Sequence, residues 1–130
     1  MTESVPVLIV DDQLPFRSAA RAVVRATPGF EVVGEAASGE EALEQVDALA
    51  PKIVLMDINM DGISGIEATR RIMAAHPSVR VVLLSTYNED DLPADARTCG
   101  AVAYVHKEDF DPDSLAAAVT GNDGAGARSG

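Results

Sequence analysis

Asp11 and Asp12 follow the apolar run VPVLIV, Asp57 follows IVLM, Ser85 and Thr86 follow VVLL, and Lys107 stands just past AVAYV. Asp57 lies between Met56 and Ile58, so an acid sits where the local pattern asks for burial, which marks it as a candidate for chemistry. Three carboxylates brought together raise one another's pKa unless a cation intervenes. The donors on offer are hard oxygens, and no imidazole is expected at a strand end, which favours Mg²⁺ over Zn²⁺. Mg²⁺ keeps waters and shares phosphate oxygens readily, so the set suits phosphoryl transfer to a carboxylate nucleophile. Lys107 would balance the added charge and Ser85 would donate a hydrogen bond to a phosphoryl oxygen. Taken singly, Asp11-Asp12 also suits a turn, Ser85 a loop and Lys107 a solvated strand end. The chemistry rests on their joint placement.

That placement requires a particular set of elements. Five short apolar runs rich in β-branched residues recur at intervals of roughly 20 to 27 residues: 5–10, 30–36, 53–56, 79–84 and 102–105. Near-continuous apolar runs of this length read as strands buried on both faces. Between them the spacing is helical. Phe16, Ala20, Val23, Val24 and Thr27 share one face of a helix that Pro28-Gly29 stops. Ser38 with Glu41, and Ser64 with Glu67, are capping-box signals opening helices that run to Pro51 and Pro77. Asp111-Pro112 reads as the cap and first position of a last helix that fades at Gly121. Pro93 makes the fourth helix short and late, with Asp91 as cap, Leu92-Pro93 in its first turn and an end at Cys99-Gly100. Strands alternating with helices predict a (βα)₅ α/β domain, doubly wound, with helices on both faces of a parallel sheet. In such a sheet ligands bind outside the carboxyl ends of the strands, where these polar residues fall.

The chain has 130 residues, enough for one domain with a sizeable core. Residues 1–120 form the expected domain, and 121–130 (GNDGAGARSG) have the composition of a flexible tail or the start of a linker. A formal net charge of −11 argues against direct nucleic-acid binding. Cys99 is the single cysteine, so no intrachain disulfide is possible, and no Cys/His cluster has the spacing of a zinc site. The first residues lack a signal-peptide pattern and no stretch approaches a membrane span, giving an expectation of a cytoplasmic protein with no membrane partner. His76 and His106 are expected to face solvent, and Tyr104 to be a core or edge aromatic.

VLIVDD, VLMDINM, the glycine pair Gly62 and Gly65, VVLLST and AVAYVHK resemble the response-regulator receiver family of two-component signalling, over about residues 4–120. DDQLPFRSAARAVV and EVVGEAASGEEALE resemble receivers of NarL/LuxR-type transcriptional regulators. The resemblance, not the spacing, implies the flavodoxin-like three-layer sandwich with strand order 2-1-3-4-5. It implies that Asp57 is the phosphoacceptor, Asp12 a direct Mg²⁺ ligand, Asp11 a ligand through water, and the Asn59 backbone carbonyl a further ligand. It makes Lys107 the cation of the motif, Ser85 the switch hydroxyl and Tyr104 the aromatic that turns inward on activation. The implied partners are a histidine kinase or phosphorelay donor and, when phosphorylated, a second copy through the fourth helix and fifth strand. Transcription would be controlled through an output domain absent from this chain. Turnover would be limited to the chain's own phosphotransfer and autodephosphorylation, since aspartyl-phosphate phosphatases carry a second Asp where this chain has Asn59. Departures from the pattern are Asp61 in place of Pro, Thr86 in place of a smaller residue, and Glu108 after Lys107. The bulk of Thr86 and Tyr87 implies slow autodephosphorylation.

Overall fold

Apolar runs too short for helices and flanked by turn residues become strands β1 (Val5–Val10), β2 (Phe30–Ala36), β3 (Ile53–Asp57), β4 (Arg80–Ser85) and β5 (Ala103–His106) in the computed structural model. It describes residues 4–86 and 92–119. All strands pair in parallel in the order β2-β1-β3-β4-β5. β3, at the centre, is buried along its whole length, as its unbroken apolar sequence requires. Val33 is skipped where Val7 pairs with Val32 and Leu8 with Gly34, a bulge that offsets the edge strand β2.

Helices α1 (Leu14–Ala26), α2 (Gly39–Leu49) and α3 (Gly65–Ala75) and a C-terminal helix over 112–119 cover the sheet. Their starts follow the capping chemistry. Ser38 and Ser64 accept the N–H groups of Glu41 and Glu67. Glu41 reaches back to the Ala37 N–H at 2.7 Å, whereas the Glu67 side chain turns to Arg70 and Arg71. Asp111 and Ser114 cap one another, with Pro112 at the first helical position. The core is split by the sheet. α1 and the C-terminal helix press Ala20, Val24 and Leu115 onto Val7, Ile9, Ile53 and Leu55, while α2 and α3 press Ala42, Val46, Ala68 and Ile72 onto Leu8, Val10, Val54 and Met56. This is the doubly wound three-layer arrangement expected from alternation.

The fourth helix departs from expectation. Its predicted cap, Asp91, lies outside the described residues, and among those described the connection holds only a 3-10 turn, Ala94–Arg97, with Pro93 at its N-cap instead of inside a first turn. Pro93 lacks an N–H and holds an extended ψ of 146°, and the short ADAR segment ends at Arg97, three positions before Gly100, whose φ of +105° stops any continuation. The predicted tail, 121–130, also lies outside the described residues. No helix of the described residues is long and apolar enough to cross a membrane.

Candidate functional site

The carboxyl ends of β1, β3, β4 and β5 open on one rim, and each delivers a polar side chain there. Asp57 is the last residue of β3 and Ser85 the last of β4, one position earlier relative to the strands than the apolar runs alone suggest. Both are buried. Asp11 continues the β1–β2 ladder by donating its N–H to the Ala36 carbonyl, so the strand's own hydrogen bonding aims the acid pair. One carboxylate oxygen from each of Asp11, Asp12 and Asp57 lies within 4.8 Å of the other two.

Lys107 enters from the end of β5. Its Nζ lies 2.6 Å from Asp11 Oδ2 and 3.3 Å from Asp57 Oδ1, and 4.5 Å above the Phe16 ring. Phe16 in turn packs on Phe110, so an aromatic floor and two carboxylates fix one ammonium. Asp57 Oδ1 also accepts the Asn59 N–H at 3.4 Å. Three carboxylates against one ammonium leave two formal negative charges in a poorly hydrated pocket. Burial first, then the charge of Asp11, push the Asp57 carboxyl up to about 6, against the opposing pull of Lys107 and the Asn59 N–H. The pocket is short of positive charge, its donors are hard oxygens, and they stand at mutual distances one ion can span; the residues therefore fit Mg²⁺.

The backbone beside Asp57 is crowded. A Cβ at Gly65 would run into the Asp57 carbonyl, and the Gly65 N–H donates to Ile58, so α3 can start this close to the strand only with glycine there. Gly62, at φ +82°, sits against the Glu40 carboxylate, which accepts the Ile63 N–H at 3.2 Å and so ties down the loop carrying Asn59. Tyr104 is half-buried against the α2–α3 side of the core, and burial pushes its phenol up.

Some residues fall elsewhere than the sequence implied. An imidazole does stand at a strand end: His106 closes β5. It is half-buried, and its nitrogens are engaged with the Thr86 carbonyl and the Glu108 N–H in exposed hydrogen bonds, which leaves the oxygen character of the acid pocket intact. His76 pairs with Asp47 at 2.7 Å. Tyr87, invoked with Thr86 for slow dephosphorylation, lies outside the described residues. Sequence reasoning missed Phe16 as the floor under Lys107 and Arg17 as a donor to the Asp11 carbonyl. Phe16 was read only as part of a helix face and Arg17 was given no role, though their place one turn after an acid pair was a usable signal.

A parallel, doubly wound sheet with an acidic pocket and a lysine at its carboxyl edge defines a class of α/β domains that bind ligands at that edge. The chain belongs to the response regulator receiver domain family, whose pattern matches residues 7–120. It is 41% identical over 101 residues to the response regulator GacA of Pseudomonas viridiflava, covering 78% of this chain and 47% of that protein. It is 36% identical over 115 residues to the transcriptional regulatory protein DegU of Brevibacillus brevis, covering 88% and 48%. The chain spans about half the length of these curated relatives. A LuxR-family two-component response regulator from Aurantimonas sp. SI85-9A1 superposes with a TM-score of 0.82 at 32% identity, covering 92% of this chain and 84% of the other. The response regulator domain of Thermotoga maritima CheB gives 0.82 at 29%, covering 93% and 98%. Its relatives place it among receivers of the NarL/LuxR type.

Proposed function

We propose that the chain is a phosphorylation switch that accepts a phosphoryl group on Asp57 from a histidine kinase. The observation that carries this reading is the setting of Asp57: a buried carboxylate raised to about 6, 3.3 Å from Lys107 and grouped with Asp11 and Asp12. Lys107 and the Asn59 N–H both approach Oδ1, leaving Oδ2 as the oxygen that attacks phosphorus. The P–N bond of the donor phosphohistidine breaks as the O–P bond forms, and the departing imidazole takes up a proton. Asp11, Asp12, Asp57 and the Asn59 carbonyl would hold Mg²⁺, which when bound offsets charge on the phosphoryl oxygens. The ammonium of Lys107 balances the added phosphate charge, and Ser85, at the end of β4, donates its hydroxyl to a phosphoryl oxygen. Tyr104 then follows Ser85 inward, remodelling the face made by β5 and the 94–97 turn. A second copy of the chain binds that face, and an output domain outside this chain reads the dimer as control of transcription. Turnover stays confined to the chain's own aspartyl phosphate, and the protein works in the cytoplasm.

Intact-mass spectrometry after incubation with acetyl phosphate and Mg²⁺ tests the first step. One added phosphoryl group is expected, lost in Asp57→Asn and in EDTA. No addition from acetyl phosphate or from a phosphorylated kinase would sink the proposal.

A further inference from the structure

We infer that Arg17 is a positioning residue that sets the orientation of the Asp11–Asp12 peptide and thereby presents the Asp12 carboxylate to a divalent cation; this rests on the metal-binding reading above. Asp11 is fully engaged. Its N–H is bound to Ala36, its Oδ1 accepts the Gln13 N–H at 2.7 Å, and its Oδ2 takes Lys107. Asp12 is different, because among the described residues its carboxylate takes no hydrogen bond or ion pair. Its position therefore depends on the backbone leading into it. The carbonyl of Asp11 and the N–H of Asp12 belong to one planar peptide, and that carbonyl accepts Nη1 of Arg17 at 2.6 Å. Fixing the carbonyl fixes the plane, and the plane sets where the Asp12 side chain starts.

Arg17 is held in its turn. Its Nε lies 3.3 Å from Glu35 Oε1, while Glu35 Oε2 accepts Arg21 Nε at 2.6 Å. Both arginines keep the Glu35 carboxyl below its usual range, the Arg21 hydrogen bond most strongly. Glu35 thus has a second effect: it occupies a guanidinium that would otherwise be free to swing onto the nearby carboxylates and compete with the metal. Hydrogen-bond partners that orient a metal ligand typically govern 10- to 100-fold of its affinity.

The test is calorimetric titration of the unphosphorylated chain with Mg²⁺ alone, beside thermal melts in EDTA. Arg17→Ala should weaken Mg²⁺ binding by about tenfold; Arg17→Lys should weaken it by less but by more than about twofold, because a lysine can make one of the two contacts, to the Asp11 carbonyl or to Glu35, but not both, and Glu35→Gln by less because the Asp11 contact of Arg17 survives it. Arg80→Ala is the control. It removes the hydrogen bond to the Val119 carbonyl at the opposite end of the sheet, so it should lower the melting temperature and leave Mg²⁺ affinity unchanged. Mg²⁺ binding by Arg17→Ala within about twofold of wild type would overturn the inference and leave the phosphorylation reading standing. So would a loss in Arg80→Ala matching its loss of stability. If Arg17→Ala does not fold, Arg17→Lys decides on the same threshold. A wild-type chain that takes up no Mg²⁺ would bring down this inference together with the metal reading.

Discussion

Replacing Asp57 by Asn should stabilise the metal-free protein above about pH 6. The carboxyl is raised from an ordinary 3.8 to about 6, a shift of roughly two units, and each unit corresponds to about 1.4 kcal/mol. Because the folded-state value lies above the unfolded one, the native state binds the proton more tightly. The stabilising contribution is fully present below about pH 4 and is lost as pH rises through about 6. At pH 8 the wild-type fold therefore carries a penalty of about 3 kcal/mol relative to a neutral side chain of the same shape. Asn keeps an oxygen facing Lys107 and the Asn59 N–H, and the Lys107–Asp11 pair is untouched, so little else changes. Urea unfolding in EDTA, followed by circular dichroism, should give a variant more stable by about 2–3 kcal/mol at pH 8, with the difference closing by about pH 4. A variant less stable than wild type at pH 8, or a difference that does not change with pH at constant m-value, would refute the electrostatic account.

Gly65→Ala should cost about 3 kcal/mol or more, because its Cβ would overlap the Asp57 carbonyl and force α3 off the strand; a chemical melt within 1 kcal/mol of wild type would contradict that packing. Thr69 is fully buried with no hydrogen-bond partner for its hydroxyl among the described residues. Thr69→Val should accordingly stabilise by about 1 kcal/mol, measured by the same unfolding curves. Lys107→Met removes two influences that hold the Asp57 carboxyl down, so its titration, followed by carboxyl-carbon NMR, should move upward from about 6; a downward move would mean that the ammonium is not the governing neighbour.

Most of the scaffold was readable because it rests on local chemistry. The apolar runs, Ser38, Ser64 and Asp111-Pro112 specify strand positions and helix starts through burial and capping alone. Asp57 was conspicuous for the same reason, being an acid embedded in an apolar run. The strand order was not in the spacing, and came from resemblance to a family. What stayed hidden depends on contacts made across the chain. The roles of Arg17 and Glu35 emerge only when β2 and α1 are seen side by side, and Gly65 shows its necessity only when α3 is laid against β3. The turn at Ala94–Arg97 was expected as an α-helix because Pro93 at the start of a helix is ordinary; only six residues separate Pro93 from Gly100, whose positive φ bars extension, and so short a segment gains little from α-helical pairing.

The ammonium that completes the acid pocket stands 96 positions beyond Asp11 along the polypeptide. A nascent or clipped chain that lacks β5 presents its carboxylates to water without their counter-charge and without the strand that closes the sheet. On the reading proposed above, such a fragment lacks both the ammonium that balances the phosphate charge and the strand that carries Tyr104, so it cannot remodel the partner-binding face, and competence to respond arrives only with the finished fold.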